Sequence, residues 1–153
     1  MPGSRPIPFP TKVPFVESLG AQLHVLADGV CELRLALVER HLNSGDVAHG
    51  GVVMTLLDVA MAFAAHSANP DDVSVATIEM KTTFMRPSEG TLRSIGKVLH
   101  RTSTLAFCEA SMYDDQGVVC ASATGTFKYR HARSPRGERT KQVPTTNPPK
   151  DTP

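Results

Sequence analysis

Between residues 51 and 65 almost every side chain is small or apolar on whichever face of a helical wheel it falls, and one carboxylate, Asp58, interrupts the run. A helix without a solvent-facing stripe has to be enclosed by something else. The residues at helical spacing from Asp58 are Met54, Thr55, Met61 and Ala62, none of them basic, so no ion pair within the helix offsets the desolvation of that charge. A group outside the helix has to accommodate it. The helix starts at Gly50-Gly51. The first N–H groups of a helix lack intrahelical acceptors and carry the positive end of the dipole, and glycine lets a ligand approach closely. That end suits an oxyanion.

The cover for this helix is legible as alternation on either side of it. Leu23, Val25 and Ala27 alternate with Gln22 and His24; after Asp28-Gly29, Cys31, Leu33, Leu35 and Leu37 alternate with Glu32 and Arg34. Two period-two runs around such a turn predict a hairpin with those apolar residues on one face. Residues 15–20, ending in glycine, predict one short helical turn before it. Residues 74–85 are rich in β-branched side chains and end at Arg86-Pro87, where a ladder donor is missing. Residues 91–100, 104–114 and 117–129 are three further strands, the last two joined through Asp114-Asp115-Gln116-Gly117. The order strand, strand, helix, then four strands predicts an α+β domain in which one curved antiparallel sheet holds the helix on its concave face.

Composition agrees with a single unit, since 153 residues, 41% of them hydrophobic, are enough for one core without disulfides. Cys31, Cys108 and Cys120 lie far apart in apolar runs and read as reduced core residues of a cytoplasmic protein. No trio of His, Cys, Asp or Glu has metal-ligand spacing, so no metal is expected. The proline-interrupted N-terminus is not a secretory signal, and no apolar run is expected to span a membrane. Residues 128–153 hold seven Lys or Arg against two acids, so the body is mildly acidic and the tail basic. The tail is rich in Pro and Thr with few aromatics, which points to a solvated extension rather than a nucleic-acid contact. The expected organisation is a proline-rich lead over residues 1–14, a domain over 15–131 and a disordered tail over 132–153.

At His41-Leu42-Asn43, Gly45, His49-Gly50-Gly51 and Asp58 the chain resembles the hotdog-fold acyl-CoA thioesterases, in particular the phenylacetate-pathway (PaaI-type) branch of the 4-hydroxybenzoyl-CoA thioesterase superfamily. The resemblance runs from about residue 15 to residue 129. It continues through Thr77, Phe84-Met85-Arg86-Pro87, the spaced set Leu92, Gly96, Val98 and His100, and Ala123-Thr124-Gly125-Thr126-Phe127. It implies a hotdog fold, a six-stranded antiparallel sheet wrapped around one long central helix. It also implies homodimers with a continuous sheet, commonly dimers of dimers, with active sites at the dimer interface. Helix geometry supplies a separate reason for a shared site. Gly50 and Asp58 are eight residues apart, about 12 Å along the axis, too far to serve one thioester carbon from the same chain.

The activity the resemblance implies is hydrolysis of an acyl-CoA, with coenzyme A as part of the substrate and no cofactor. The Gly50 N–H would polarise the thioester carbonyl. Asp58 of a second subunit would act as general base or nucleophile, Asn43 would orient water or carbonyl, and the Thr77 hydroxyl would position the water. His49 matches a loop-fixing or substrate-contacting histidine, with Gly51 beside it. Pocket depth would be set by Val53, Leu57 and Met61, which leaves aromatic and medium-chain acyl groups both open. Coenzyme A phosphates would meet Arg101, Thr102 and Ser103 in the turn between the fourth and fifth strands, or Arg86. Many relatives carry glycine where this chain has Thr102. Two other readings remain: a hotdog enoyl-CoA hydratase or dehydratase using His41 with Asp58, and an acyl-CoA binding module without catalysis.

Overall fold

A computed structural model describes residues 5–69, 71 and 74–130, and the basic tail at 132–153 lies outside the described residues. The short helix α1 (Pro14–Leu19) ends at Gly20, whose φ of 86° lets its N–H turn back and donate to the Glu17 carbonyl. Strands β1 (Gln22–Ala27) and β2 (Val30–Ala36) form the expected hairpin, with Asp28 and Gly29 both at positive φ as its two-residue turn requires. A 3-10 turn at Glu39–His41 leads to the long helix α2 (Gly50–Ala68). Strands β3 (Ser74–Phe84), β4 (Thr91–Arg101), β5 (Leu105–Tyr113) and β6 (Val119–Arg130) complete the domain. All six strands join one antiparallel sheet in the order β1-β2-β4-β5-β6-β3, wrapped around α2. This is the hotdog arrangement expected from the sequence.

The core forms where α2 meets the inner face of the sheet. Val53, Leu56, Leu57, Ala60, Met61 and Ala64 are buried there with Leu33, Leu35, Leu92, Met112 and Phe127. The closest approach is at Gly96 of β4, where a Cβ would lie 2.4 Å from the backbone carbon and oxygen of Ala60. Neither is the end of a flexible side chain, so the helix itself would have to move. Gly96→Ala is therefore expected to destabilise the fold by roughly 1–3 kcal/mol, from the usual cost of overpacking. Chemical denaturation measures this, and a loss below about 0.5 kcal/mol, the range of an ordinary surface change, would contradict the close approach.

Of four register shifts in the sheet, those in β1 and β3 correct which face the alternation read from sequence turns inward. In β1 the register shifts between Leu23 and Val25. Leu23 is buried, but Val25 and Ala27 turn outward while Leu26 packs toward the core. One extra residue reverses every side chain after it, so strict alternation assigned Val25 and Ala27 to the wrong face. In β3 the shift falls between Thr77 and Glu79, which leaves Ile78 unpaired and 55% exposed. Val75 and Thr77 oppose the buried Tyr129 and Phe127, and beyond the bulge Met80 opposes Gly125. Without the bulge, the charged Glu79 and Lys81 would face the helix instead.

The two sheet edges differ. At β1 the N-terminal lead adds a bridge, the Ile7 N–H donating to the Leu23 carbonyl at 2.8 Å, and the Phe9 ring lies 5.7 Å from that of Phe63. The lead thus docks on the domain. At β3 the outer edge has no partner strand among the described residues. On α2, Gly51 and Met54 are exposed and Thr55 and Asp58 half-buried, so one stripe of the helix is open in the single chain. The expectation of a helix covered on every side therefore fails on the stripe that carries Asp58. Against the expectation that no apolar run spans a membrane, the nineteen residues of α2 are long and apolar enough to cross a bilayer by length and composition; here the sheet wraps the helix.

Candidate active site

The loop before α2 is fixed by its own polar groups. The Asn43 N–H donates to the Val47 carbonyl at 2.8 Å, and the Gly45 N–H donates to Asn43 Oδ1 at 2.8 Å, an Asx turn. Asp46 at positive φ closes the loop, with its N–H to the Asn43 carbonyl at 3.1 Å. The loop is tied down by the Ala48 N–H to the Ser88 carbonyl and the His49 N–H to the His41 carbonyl. Because Oδ1 is engaged within the loop, the Asn43 side chain has its amide NH2 left as donor.

His49 caps α2. Its Nδ1 accepts from the Gly51 N–H at 2.9 Å, and its carbonyl accepts from Val52 at 2.9 Å and Val53 at 3.3 Å. A ring nitrogen that accepts carries no proton, so Nε2 is the donor end of this imidazole. One N–H of the first turn remains: that of Gly50 has no acceptor among the described residues. The cap thus uses up its neighbours' donors and leaves a single amide for a ligand.

A cavity of about 280 Å³ opens beside that amide. Four of the residues expected to form the site, Asn43, Gly50, Val53 and Arg86, line it with Phe84, Pro87 and Ser88. The Phe84 ring approaches within 3.5 Å of where a Gly50 Cβ would sit. Sequence reasoning gave Phe84 no role; its only signal was its place immediately before Met85-Arg86-Pro87. A second cavity, about 430 Å³, lies on the other flank of the same helix start, lined by Phe15, Leu19, Arg40, Leu42, His49, Gly51, Val52 and Thr55.

Two turns further along α2, Thr77 Oγ1 donates to Asp58 Oδ1 at 2.8 Å. This is the outside group that the lone helix carboxylate required. Partial burial pushes the Asp58 pKa above the ordinary carboxylate range, and the Thr77 hydrogen bond pulls part of that shift back. Removing the hydroxyl in Thr77→Val is therefore expected to raise the Asp58 pKa further. If Asp58 works as a base, the acidic limb of the kcat/KM profile moves to higher pH in the variant; a limb at unchanged pH would mean that another group controls it.

Other residues singled out in the sequence lie elsewhere. Leu57 and Met61 are fully buried in the core and line neither cavity. Arg101, Thr102 and Ser103 form the β4–β5 turn, where Thr102 Oγ1 accepts from the N–H groups of Thr104 at 3.2 Å and Leu105 at 3.0 Å. The threonine hydroxyl organises that turn. Val98 of β4 packs with Ala68 around Gly29, so this turn belongs to the C-terminal end of α2, opposite Gly50. His41 is 1% exposed and its Nδ1 accepts from the Val38 N–H at 3.1 Å, which makes it a buried support of the loop and weighs against the hydratase reading. Burial pushes the Cys31 and Cys108 thiols up to about 12, so neither is a nucleophile near neutral pH. Among the described residues no group of three or more His, Cys, Asp or Glu could hold a metal ion.

A family profile described as Thioesterase superfamily matches residues 45–121. A candidate esterase of Halobacterium salinarum is 36% identical over 112 residues, covering 69% of this chain and 74% of that protein. Another from Saccharolobus solfataricus is 30% identical over 118 residues, covering 76% and 78%. A conserved protein of Pseudomonas aeruginosa of known structure matches with a TM-score of 0.73 at 30% identity, covering 78% of this chain and 95% of that one. The PaaI protein from the phenylacetic acid degradation operon of E. coli matches with a TM-score of 0.70, covering 76% and 83%; at 20% identity this is a likeness of fold alone.

Proposed function

The chain belongs to the thioesterase superfamily and is a thioester hydrolase, and on that premise we propose that it cleaves acyl-CoA thioesters at a site shared between two copies of itself. One observation carries the reading: the unclaimed Gly50 N–H and Asp58 sit on one helix, about 12 Å apart, with Asp58 on its uncovered stripe and met there by Thr77 of β3. A twofold axis through Met54, midway between them, would bring Gly50 of each helix beside Asp58 of the other. The open β3 edge supports the same pairing, because an eleven-residue edge strand with exposed Ile78 is otherwise a liability for aggregation.

In this site the thioester oxygen accepts from the Gly50 N–H. The partner's Asp58 takes a proton from water, and the hydroxide adds to the carbonyl carbon. The tetrahedral oxyanion then collapses, breaking the carbon–sulfur bond, and the departing thiolate takes the proton held by the partner's Asp58, which restores the carboxylate and gives free acid and CoA. Attack by the carboxylate itself, through an anhydride that water then opens, uses the same groups. The raised pKa makes Asp58 a stronger base than an exposed carboxylate, and Thr77 keeps it oriented. The free NH2 of Asn43 orients water or carbonyl, and Arg86 on the wall of the smaller cavity meets phosphate oxygens. The antiparallel pairing directs the Arg101–Ser103 turn of each protomer toward the other's helix start, as a further contact for the nucleotide.

The test is release of free thiol from aryl-CoA and straight-chain acyl-CoA esters, with light-scattering mass measured in parallel. Turnover by a dimer or a larger even assembly supports the reading. A monomer with full turnover, or no release from any ester, rejects it.

A further inference from the structure

The chain leaving β3 crosses the start of α2 and is pinned there at two points. The Phe84 ring lies against Gly50, and four residues on the Ser88 carbonyl accepts from the Ala48 N–H at 2.9 Å. Between them the Met85 and Arg86 N–H groups both donate to the Cys120 carbonyl of β6, at 2.9 and 3.1 Å. Ser88 is thus held at a fixed place beside the helix start, since the nitrogens of Ala48 and Gly50, two residues apart, are at most about 7 Å from each other. Ser88 and Gly50 line the same cavity of about 280 Å³.

Ser88 differs from the other polar side chains on that cavity. Asn43 and Arg86 are exposed, whereas Ser88 is 4% exposed and is the one buried residue between positions 83 and 90. Its hydroxyl has no hydrogen-bond partner among the described residues. A buried hydroxyl without a partner carries a desolvation cost, which an arriving acceptor offsets. The reaction supplies such an acceptor. A tetrahedral oxyanion accepts more than one hydrogen bond, and the first turn of α2 offers it a single free amide, because His49 occupies the Gly51 N–H. A hydroxyl rotates its proton toward whatever acceptor is presented, and away from water that bond is stronger.

We propose that the Ser88 hydroxyl donates to the thioester oxygen beside the Gly50 N–H and is the second donor of the oxyanion site, a catalytic residue of this chain. The assignment rests on the thioesterase reading above and adds a residue to its machinery. It places both donors on one protomer, opposite the partner's Asp58.

The experiment uses the ester that wild type turns over fastest in the thiol-release panel. Ser88→Ala deletes one oxygen from a side chain without a protein partner, so the fold is expected to hold and kcat to drop at least tenfold, with KM within about threefold. A second readout follows the carbonyl itself. The same ester, isotope-labelled at its carbonyl carbon, is bound to Asp58→Asn, which hydrolyses it slowly, and to Asp58→Asn combined with Ser88→Ala. In infrared difference spectra, binding should move the carbonyl band to lower wavenumber in the first and less far in the second, a change that a merely structural serine would not produce. Unchanged kcat in Ser88→Ala, or a lower kcat with the carbonyl band unmoved by the substitution, would overturn the assignment and leave the thioesterase reading standing. No turnover of any ester by wild type would remove that reading and this assignment together.

Discussion

Gly50→Pro is expected to lower kcat by roughly 10²–10³, the usual loss when one oxyanion donor is removed, with the fold intact. Proline at this position removes the N–H and little else. Gly50 is the first residue of α2, where the proline ring is compatible with helix and the missing donor had no acceptor. His49, which would precede it, already has φ −58° and ψ 137°, the extended region a residue before proline prefers. Gly50→Ala is the control, because it keeps the N–H and its Cβ meets the Phe84 ring at 3.5 Å, an ordinary contact. It should lose far less activity than the proline variant. Equal losses would mean that space beside Phe84, and not the amide, matters at this position.

The same variant tests whether the site is shared. Asp58→Ala and Gly50→Pro are each expected to be nearly inactive alone. In a mixed dimer one of the two composite sites would have both Gly50 and Asp58 intact. Random mixing of the two variants should then restore about a quarter of wild-type turnover. Refolding or co-expression of the pair followed by thiol release measures this. Absence of recovery in verified mixed dimers would put both groups of a site in one chain.

Asp58→Asn is the second large effect, and it has two signs. Turnover should fall by about 10³, because the amide cannot take a proton from water or attack the thioester. Thermal stability at pH 7 should rise. The Asp58 pKa is raised in the folded state, so folding is favoured with the proton on, and the charged form carries a penalty. That penalty is absent below the unfolded pKa, grows as pH rises through the folded pKa, and is complete above it. Asparagine never carries it and still offers an oxygen to the Thr77 hydroxyl. The variant should melt above wild type at neutral pH, and the difference should vanish as pH drops below the ordinary carboxylate range. A lower melting temperature at pH 7 would show that the charge itself stabilises the fold, which is the behaviour of a structural acid. The gain in stability with loss of activity is the exchange expected when a functional group is held in a costly environment.

Asp58 and Gly50-Gly51 were visible in the sequence because each violates a local rule. A charge has no business in an apolar helix without a partner, and a glycine pair is a poor start for one unless something must come close. The hairpins were visible for a similar local reason, since turns such as Asp28-Gly29 and Asp114–Gly117 join neighbouring runs of alternation, whereas the pairings of β2 with β4 and of β3 with β6 were not. The bulges were not. Whether Val25 or Leu26 points inward depends on what opposes it in β2, and the sequence around residue 78 carries no glycine or proline to mark the extra residue.

By itself the sequence determined the sheet-and-helix architecture and the chemistry available at the helix, because period, turn residues and the lone carboxylate act over a few residues at a time. Tertiary structure alone decided which donor stays free, which hydroxyl meets Asp58 and which helix stripe and sheet edge stay open. His49 takes the Gly51 N–H, the bulge at Ile78 lets Thr77 face the helix, and the N-terminal lead covers β1 while β3 has no partner strand among the described residues. Each of these depends on residues far apart in the chain meeting at fixed distances, and no pattern along one segment encodes the position of another.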